Sequence, residues 1–192
     1  FQLTGLLTPD GILLEANQSA LDFGGIELKD IINRPFYETK WWNFNEESRE
    51  RLKKSINKAA SGEFVRYEVE IVGKNDTHSI IDFSIKPIFD KNGKVKLLIP
   101  EGRDITDRKK IEIALKENEE IFKKFLEYSP IYVFFKDEEI RSLQLSKNFE
   151  KMLGKPMTEL IGKTMYDLFP SEFAKKMIED DKNVLKNGKI LV

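Results

Sequence analysis

Cysteine is absent from the 192 residues, so no disulfide and no thiol chemistry is available, and the expected compartment is reducing and cytoplasmic. Histidine occurs once, at position 78, which is too few for a zinc site even before spacing is considered. No apolar run approaches the roughly 20 residues that cross a bilayer, and no signal peptide is legible, so no membrane contact is expected. An excess of either charge is missing as well. Lys+Arg (32) and Asp+Glu (33) cancel to −1, which gives no electrostatic reason to expect nucleic acid as a partner. What the chain does have is 14 Phe within a 40% hydrophobic composition, enough to fill cores. Phe1 already stands inside an apparent strand, and the chain is expected to be a piece of something longer.

Along the chain, QLTGLLT (2–8) and ILLEA (12–16) read as two strands around Pro9-Asp10-Gly11. Asn17 is placed to cap a short helix that Gly24-Gly25 stops. Short helical turns follow at 28–32 and 35–39. After Asn45, residues 46–62 carry an apolar stripe of Leu52, Ile56, Ala59 and Ala60, with Gly62 as the stop. Three alternating stretches (64–72, 77–89 and 94–105), separated by polar turns, have the period of half-buried antiparallel strands. From Thr106 the sequence turns to helix formers. Ile111, Asn118 and Phe125 share one heptad position, and Ala114, Ile121 and Tyr128 the other, with Leu115 and Phe122 beside them. Such a helix spans roughly 30 Å. It either folds back on its own domain or pairs with a copy of itself, and Asn118 in the seam is the kind of polar residue that sets register in dimers.

Shifted by 129 residues, NQSALDFGGIELKDIINRPFYE (17–38) lies on SKNFEKMLGKPMTELIGKTMYD (146–167) without a gap. Gly25 falls on Gly154, Ile32 on Ile161 and Tyr37 on Tyr166. IYVFFKD and IRSLQLS supply two leading strands and 171–188 the long helix, while KILV begins a strand at Lys189. A repeated mixed unit is a tandem of one small α+β module. The second copy lacks its last strands, and the edge at Lys189 is expected to favour association.

These residues resemble tandem PAS domains. The most specific stretch is GRDITDRKKIE (102–112), similar to the segment that closes a PAS core and opens its output helix. NQSALDFGG with SKNFEKMLGK, and NRPFYE with GKTMYD, carry the rest. The resemblance implies a five-stranded antiparallel sheet with helices on one face, present twice with the second copy truncated and joined by a long linker helix. The boundaries follow as 1–105, 106–127 and 128–192. It also implies a sensory role ahead of an output domain such as a histidine kinase, with a small ligand or partner state sensed in the first domain. A ligand-free dimerisation and spacer module is the alternative.

Site candidates follow from the residues. Trp41 and Trp42, in the aromatic stretch PFYETKWWNF, line a pocket or bury against a helix or partner. Tyr67 and Phe83 have inward parity on neighbouring strands. Glu101 shares parity with Val95, Leu97 and Ile99. If these face the core, Glu101 is a pocket polar group or half of a buried ion pair with Arg103, which has the same parity. Asp104 and Thr106 are placed to cap the long helix, with Asp107 in its first turn, so that strand and helix move together. Lys109 stands where a capping box wants Glu or Gln. Ile111, Asn118 and Phe125 continue that relay to a homodimer partner.

Catalysis is not expected in this chain. Asp22-Phe23-Gly24 spells a kinase motif without a catalytic loop. Gly162-Lys163-Thr164 spells the end of a P-loop whose required glycine is Met157. Glu179-Asp180-Asp181 lacks the spaced ligands of a calcium loop. His78 beside a turn is neither a helical phosphoacceptor nor a helical haem ligand. A cysteinyl-flavin needs the missing thiol, while a noncovalently held flavin stays open.

Overall fold

The computed structural model describes residues 2–188 and divides into two compact units, 1–112 and 113–192. The strand expected from Lys189 lies outside the described residues.

In the first unit, strands β1 (Gln2–Leu7) and β2 (Leu13–Ala16) form a hairpin, and β3 (Val65–Val72), β4 (His78–Phe89) and β5 (Val95–Asp104) complete an antiparallel sheet of order β2-β1-β5-β4-β3. The connection from β2 to β3 carries α1 (Gln18–Gly24), α2 (Leu28–Ile31), 3-10 turns at Phe36–Glu38 and Lys40–Trp42, and α3 (Glu46–Ala60). Asn17 caps α1 by accepting from the Ala20 N–H, and Gly25 ends it at φ 60°. Asn45 caps α3 through the Glu47 and Ser48 N–H groups, with Glu46 and Glu47 against the positive helix end. The α3 stripe of Leu52, Ile56 and Ala59 is buried against the sheet face that carries Ile81, Phe83, Ile85 and Leu98.

One register differs from the sequence reading. Opposite β4, Leu97 pairs with Ile88 but Val95 pairs with Phe89, so Lys96 is an extra residue and β5 bulges there. A one-residue insertion reverses every later side chain. Val95 still packs against the core, but beyond the bulge the buried residues are Leu98, Pro100 and Gly102. Leu97, Ile99, Glu101 and Arg103 therefore face the outer side of the sheet.

Helix α4 (Thr106–Tyr128) follows β5, and the unit boundary at 112/113 falls inside it. The second unit has a two-stranded sheet of β6 (Phe134–Lys136) and β7 (Ser142–Leu145), then α5 (Asn148–Leu153), α6 (Met157–Leu160), α7 (Met165–Leu168) and α8 (Ser171–Asn187). Its core falls into two small clusters, around Ile140/Ala174 and Leu145/Phe149, both contacted by Leu168 and Phe169.

Several bonds recur in the two units at the 129-residue offset. Asn17 N–H donates to Thr4 O and Ser146 N–H to Val133 O, both at 2.8 Å. In return the Thr4 N–H reaches Asn17 Oδ1 (3.1 Å), and the Val133 N–H reaches Ser146 Oγ (2.8 Å). Leu13 and Ser142 each exchange bonds with a later turn, at Asn33/Arg34 and Gly162/Lys163 respectively. The hairpin turn repeats too, with Gly11 at φ 81° matched by Ile140 at φ 64°. A β-branched residue in that region is strained, and burial of Ile140 in its cluster offsets the strain.

Candidate functional site

Between the first sheet and its helices lies a cavity of about 40 Å³. Its helical side is formed by Ala20 of α1 and by Phe36, Trp41 and Trp42 of the 3-10 turns, and its sheet side by Leu3, Ile71, Ile81 and Phe83. Gly5 and Gly102 let bare backbone form part of the wall, beside the Pro100 ring. A Cβ on Gly5 would meet Glu15 O at 3.0 Å, and one on Gly102 would meet Ile81 Cγ2 at 2.8 Å, so neither position admits a side chain without movement.

The aromatic wall is one connected cluster. The Trp42 ring meets Phe83 edge-on at 5.1 Å and Phe36 at 5.7 Å, and Tyr67 meets Phe83 at 5.5 Å. Trp41 is 5% and Trp42 2% exposed, yet neither indole Nε1–H has an acceptor. Gly24 makes room for Trp41: a Cβ there would stand 2.6 Å from its Nε1. Glycine in Asp22-Phe23-Gly24 thus serves packing, while Asp22 accepts from Gln18 Nε2 on α1. Burial pushes the Tyr67 phenol pKa up, with Ser55 and Arg51 pulling weakly the other way. The Ser55 hydroxyl is turned to Arg51 O (2.8 Å), and the Arg51 guanidinium stacks over the Tyr67 ring at 4.0 Å.

Four of the sequence candidates, Trp41, Trp42, Tyr67 and Phe83, meet in this cluster. Glu101 and Arg103 do not bring their side chains to it. The chain at Glu101 borders the cavity, but the bulge at Lys96 turns both side chains to the outer face. There Glu101 stands opposite Thr4 and Ser84, and Arg103 opposite Gln2 and Asp82. The expected ion pair is also not formed. Asp82 is held instead by Arg66, through Nε (2.8 Å) and Nη2 (2.5 Å), and this fork keeps the Asp82 carboxyl below the usual carboxylate range.

At the strand-to-helix junction, Asp104 Oδ1 accepts the Thr106 N–H at 2.8 Å, satisfying a free donor of the first turn. Thr106 does not cap its own helix as expected. The Ile105 carbonyl accepts the first helical bond from Lys109, and the Thr106 hydroxyl accepts the Ile80 N–H of β4 at 2.9 Å. Ile105 N–H also bonds Ile80 O. Lys109, the departure from a capping box, reaches Glu68 of β3 at 2.8 Å. Beyond this anchorage Ile111 (69% exposed) and Phe125 (48%) are uncovered, and Asn118 is exposed between them.

Other residues singled out in the sequence fall elsewhere. His78 pairs with Glu70 at 2.6 Å beside the Phe44 ring. Asp181, from the Glu179-Asp180-Asp181 run, accepts from Lys136. Among the described residues no group of His, Cys, Asp and Glu is arranged to hold a metal, and no helix is long and apolar enough to cross a membrane. Sequence reasoning missed Phe36, Ala16, Ala20, Gly5 and Gly102. A signal for one of them was present: in the aligned repeat Ala20 falls on Phe149, a small residue against a large one.

Among curated proteins, the chain is 42% identical over 123 residues to the sensor histidine kinase TmoS of Ectopseudomonas mendocina, covering 62% of this chain and 13% of that protein. It is 36% identical over 168 residues to hybrid signal transduction histidine kinase D of Dictyostelium discoideum, covering 85% of this chain and 10% of that protein. It thus spans about a tenth of the length of these relatives. Among solved structures, an RNA-binding light-oxygen-voltage receptor superposes with a TM-score of 0.51 at 16% identity, over 62% of this chain and 33% of that one, a likeness of fold alone. A family model described as the PAS fold matches residues 2–110 and again 126–192, and with both copies covered the chain belongs to the PAS fold family.

Proposed function

We propose that this chain is the sensory part of a cytoplasmic signalling protein, divided functionally into a first PAS domain (1–105), a linker helix (106–127) and a second PAS domain (128–192). The first domain senses a small ligand or a partner's state. Asp104, Thr106, Ile111, Asn118 and Phe125 relay the change along a dimeric helix to an output domain such as a histidine kinase, which would carry any catalytic activity.

The observation that carries this reading is the β5–α4 junction. Asp104, Ile105, Thr106 and Lys109 tie the helix start to β5, β4 and β3 at once, so a shift of the sheet must move the helix. The uncovered apolar seam of α4 then offers the surface for a second copy. Because the chain has no cysteine, Lys110→Cys gives one spin-label site per protomer. The expected result is a dimer with a well-defined interchain distance, which Thr106→Val broadens. A monomer at every concentration sinks the dimeric relay, and an unchanged distance distribution in Thr106→Val sinks the coupling.

A second reading, the ligand-free dimerisation and spacer module, is favoured by how little space the aromatic cluster leaves. A dry apolar cavity of about 150 Å³ holds benzene. The space beside Trp42 is about 40 Å³, so a flavin ring has no room in this conformation. Native mass spectrometry with an absorption spectrum of the purified chain separates the two: a retained mass supports the sensor, a bare polypeptide the spacer.

A further inference from the structure

Resting on the reading of the first-unit cavity as a ligand site, we infer that Ile81 is the positioning residue through which filling of the cavity reaches α4, and that Gly102 leaves Ile81 the room to respond. Three observations carry this.

The first is that Ile81 belongs to the cavity and to the helix anchorage at once. Its side chain, 1% exposed, forms part of the sheet wall. Its neighbour Ile80 is fastened to the start of α4 at both backbone groups. The Ile80 N–H donates to the Thr106 hydroxyl at 2.9 Å, and the Ile80 carbonyl accepts the Ile105 N–H at 2.9 Å. In the ladder Ile81 itself stands opposite Asp104, whose carboxylate accepts the Thr106 N–H. A single peptide unit thus joins the wall to the anchorage.

The second is that the other sheet side chains of the wall lead elsewhere. Leu3 adjoins Thr4, whose N–H is held by Asn17 at the start of α1. Phe83 stands opposite Gly102, and its neighbour Asp82 is held by Arg66 of β3. Ile71 stands opposite Ser79, and its neighbour Val72 opposite His78. Among the described residues, Ile81 is the wall residue whose backbone neighbour bonds the start of α4.

The third is the fit of Ile81 over β5. A Cβ on Gly102 would stand 2.8 Å from Ile81 Cγ2, so this methyl lies close over bare backbone. The Gly102 backbone is not left-handed, so the contact with Ile81, and not a turn, is what calls for glycine there. A β-branched side chain is stiff at χ1, and a packed interior transmits strain. Pressure on the Ile81 methyl groups is therefore passed to the β4 backbone and on to Ile80.

Gly102→Ala is a fixed push on Ile81, and amide hydrogen exchange in the full 192-residue chain reads its effect. Relative to the Thr4 amide, those of Ile80 and Lys109 are expected to exchange about two- to tenfold faster, the factor for one net hydrogen bond. In an Ile81→Ala background, which lacks Cγ2, the same change should have no effect. In an Ile81→Val background, which keeps both γ carbons, the effect should persist. Unchanged rates at Ile80 and Lys109, a rise shared equally by Thr4, or an effect that survives Ile81→Ala would each overturn the proposal. Xenon, which enters dry apolar cavities, gives a second measurement on the unaltered chain should Gly102→Ala fail to fold. The Ile81 methyl signals and the Ile80 amide signal are expected to shift together as xenon pressure rises. Ile81 methyls that shift while the Ile80 amide stays still overturn the relay and leave the ligand site standing. Silence of the Leu3, Leu13 and Ile81 methyls toward xenon overturns the ligand-site reading, which the exchange rates by themselves do not touch.

Discussion

The two PAS copies share the backbone bonds that fix their hairpin to the following turn and differ in the side chains set at the same register. Where the first copy has Leu3, Gly5, Ala16 and Ala20, the second has Tyr132, Phe134, Leu145 and Phe149 at the same register. Tyr132 and Phe134 both stack edge-on against Phe149. Backbone geometry is thus kept by a few local bonds, at Asn17 or Ser146 and at the following turn. The interior is free to vary because those bonds do not depend on it. The first copy keeps small residues on two strands and a helix and leaves a space; the second sets large residues at the same positions, with Leu145 and Phe149 buried and Tyr132 and Phe134 exposed.

Four sets of substitutions test this contrast. The largest effect is expected at the aromatic wall. Trp42→Ala removes a fully buried ring from between Phe36 and Phe83 and should cost about 3–5 kcal/mol. Trp41 emission in a urea titration would report it as an earlier unfolding of the first copy alone. An unshifted midpoint would mean that the cluster does not support that copy. Next come the paired strand locks: Asn17→Ala and Ser146→Ala should each cost about 1–2 kcal/mol, since each orphans a strand N–H and, for Asn17, a helix cap. Strongly unequal losses, measured by hydrogen exchange at Thr4 and Val133, would argue that the repeated bonds are not equivalent. At the hairpin turn, Gly11→Ala should lose about 1 kcal/mol or more, because φ is 81° and the new Cβ would meet Ile56 Cγ2 at 3.0 Å. Thermal unfolding would detect it, and no loss would mean that α3 yields at Ile56.

The smallest effect is expected on the outer face. Arg66 holds the Asp82 pKa below its unfolded value, so this contribution is complete above the ordinary aspartate range and fades as pH falls through the lowered folded value. Asp82→Asn should therefore produce a small, salt-sensitive loss at neutral pH that disappears in acid. A loss that persists in acid would assign Asp82 a packing role instead.

Much of this was legible in the sequence. Asn17 and Asn45 announced their helices because capping is a local reaction between a side chain and the next two or three amides. The alternation of β3 and β4, the helix after Thr106 and the 129-residue repeat were visible for the same reason: each depends on neighbours in the chain. That Trp41, Trp42, Tyr67 and Phe83 pack inward is legible because large aromatics have few other places to go. Parity counted through Lys96 puts Glu101 and Arg103 on the wrong face, and nothing in that stretch marks an extra residue. The bulge exists only as a register between β5 and β4. Likewise Thr106 looked like a helix cap but accepts from Ile80, and Lys109 looked like a defect but pairs with Glu68, because strands distant in sequence lie beside the helix start. Periods, caps and the duplication are properties of the chain alone. The tertiary structure alone decided which face of β5 meets the core, because a side chain's direction in a sheet is set by its partner strand.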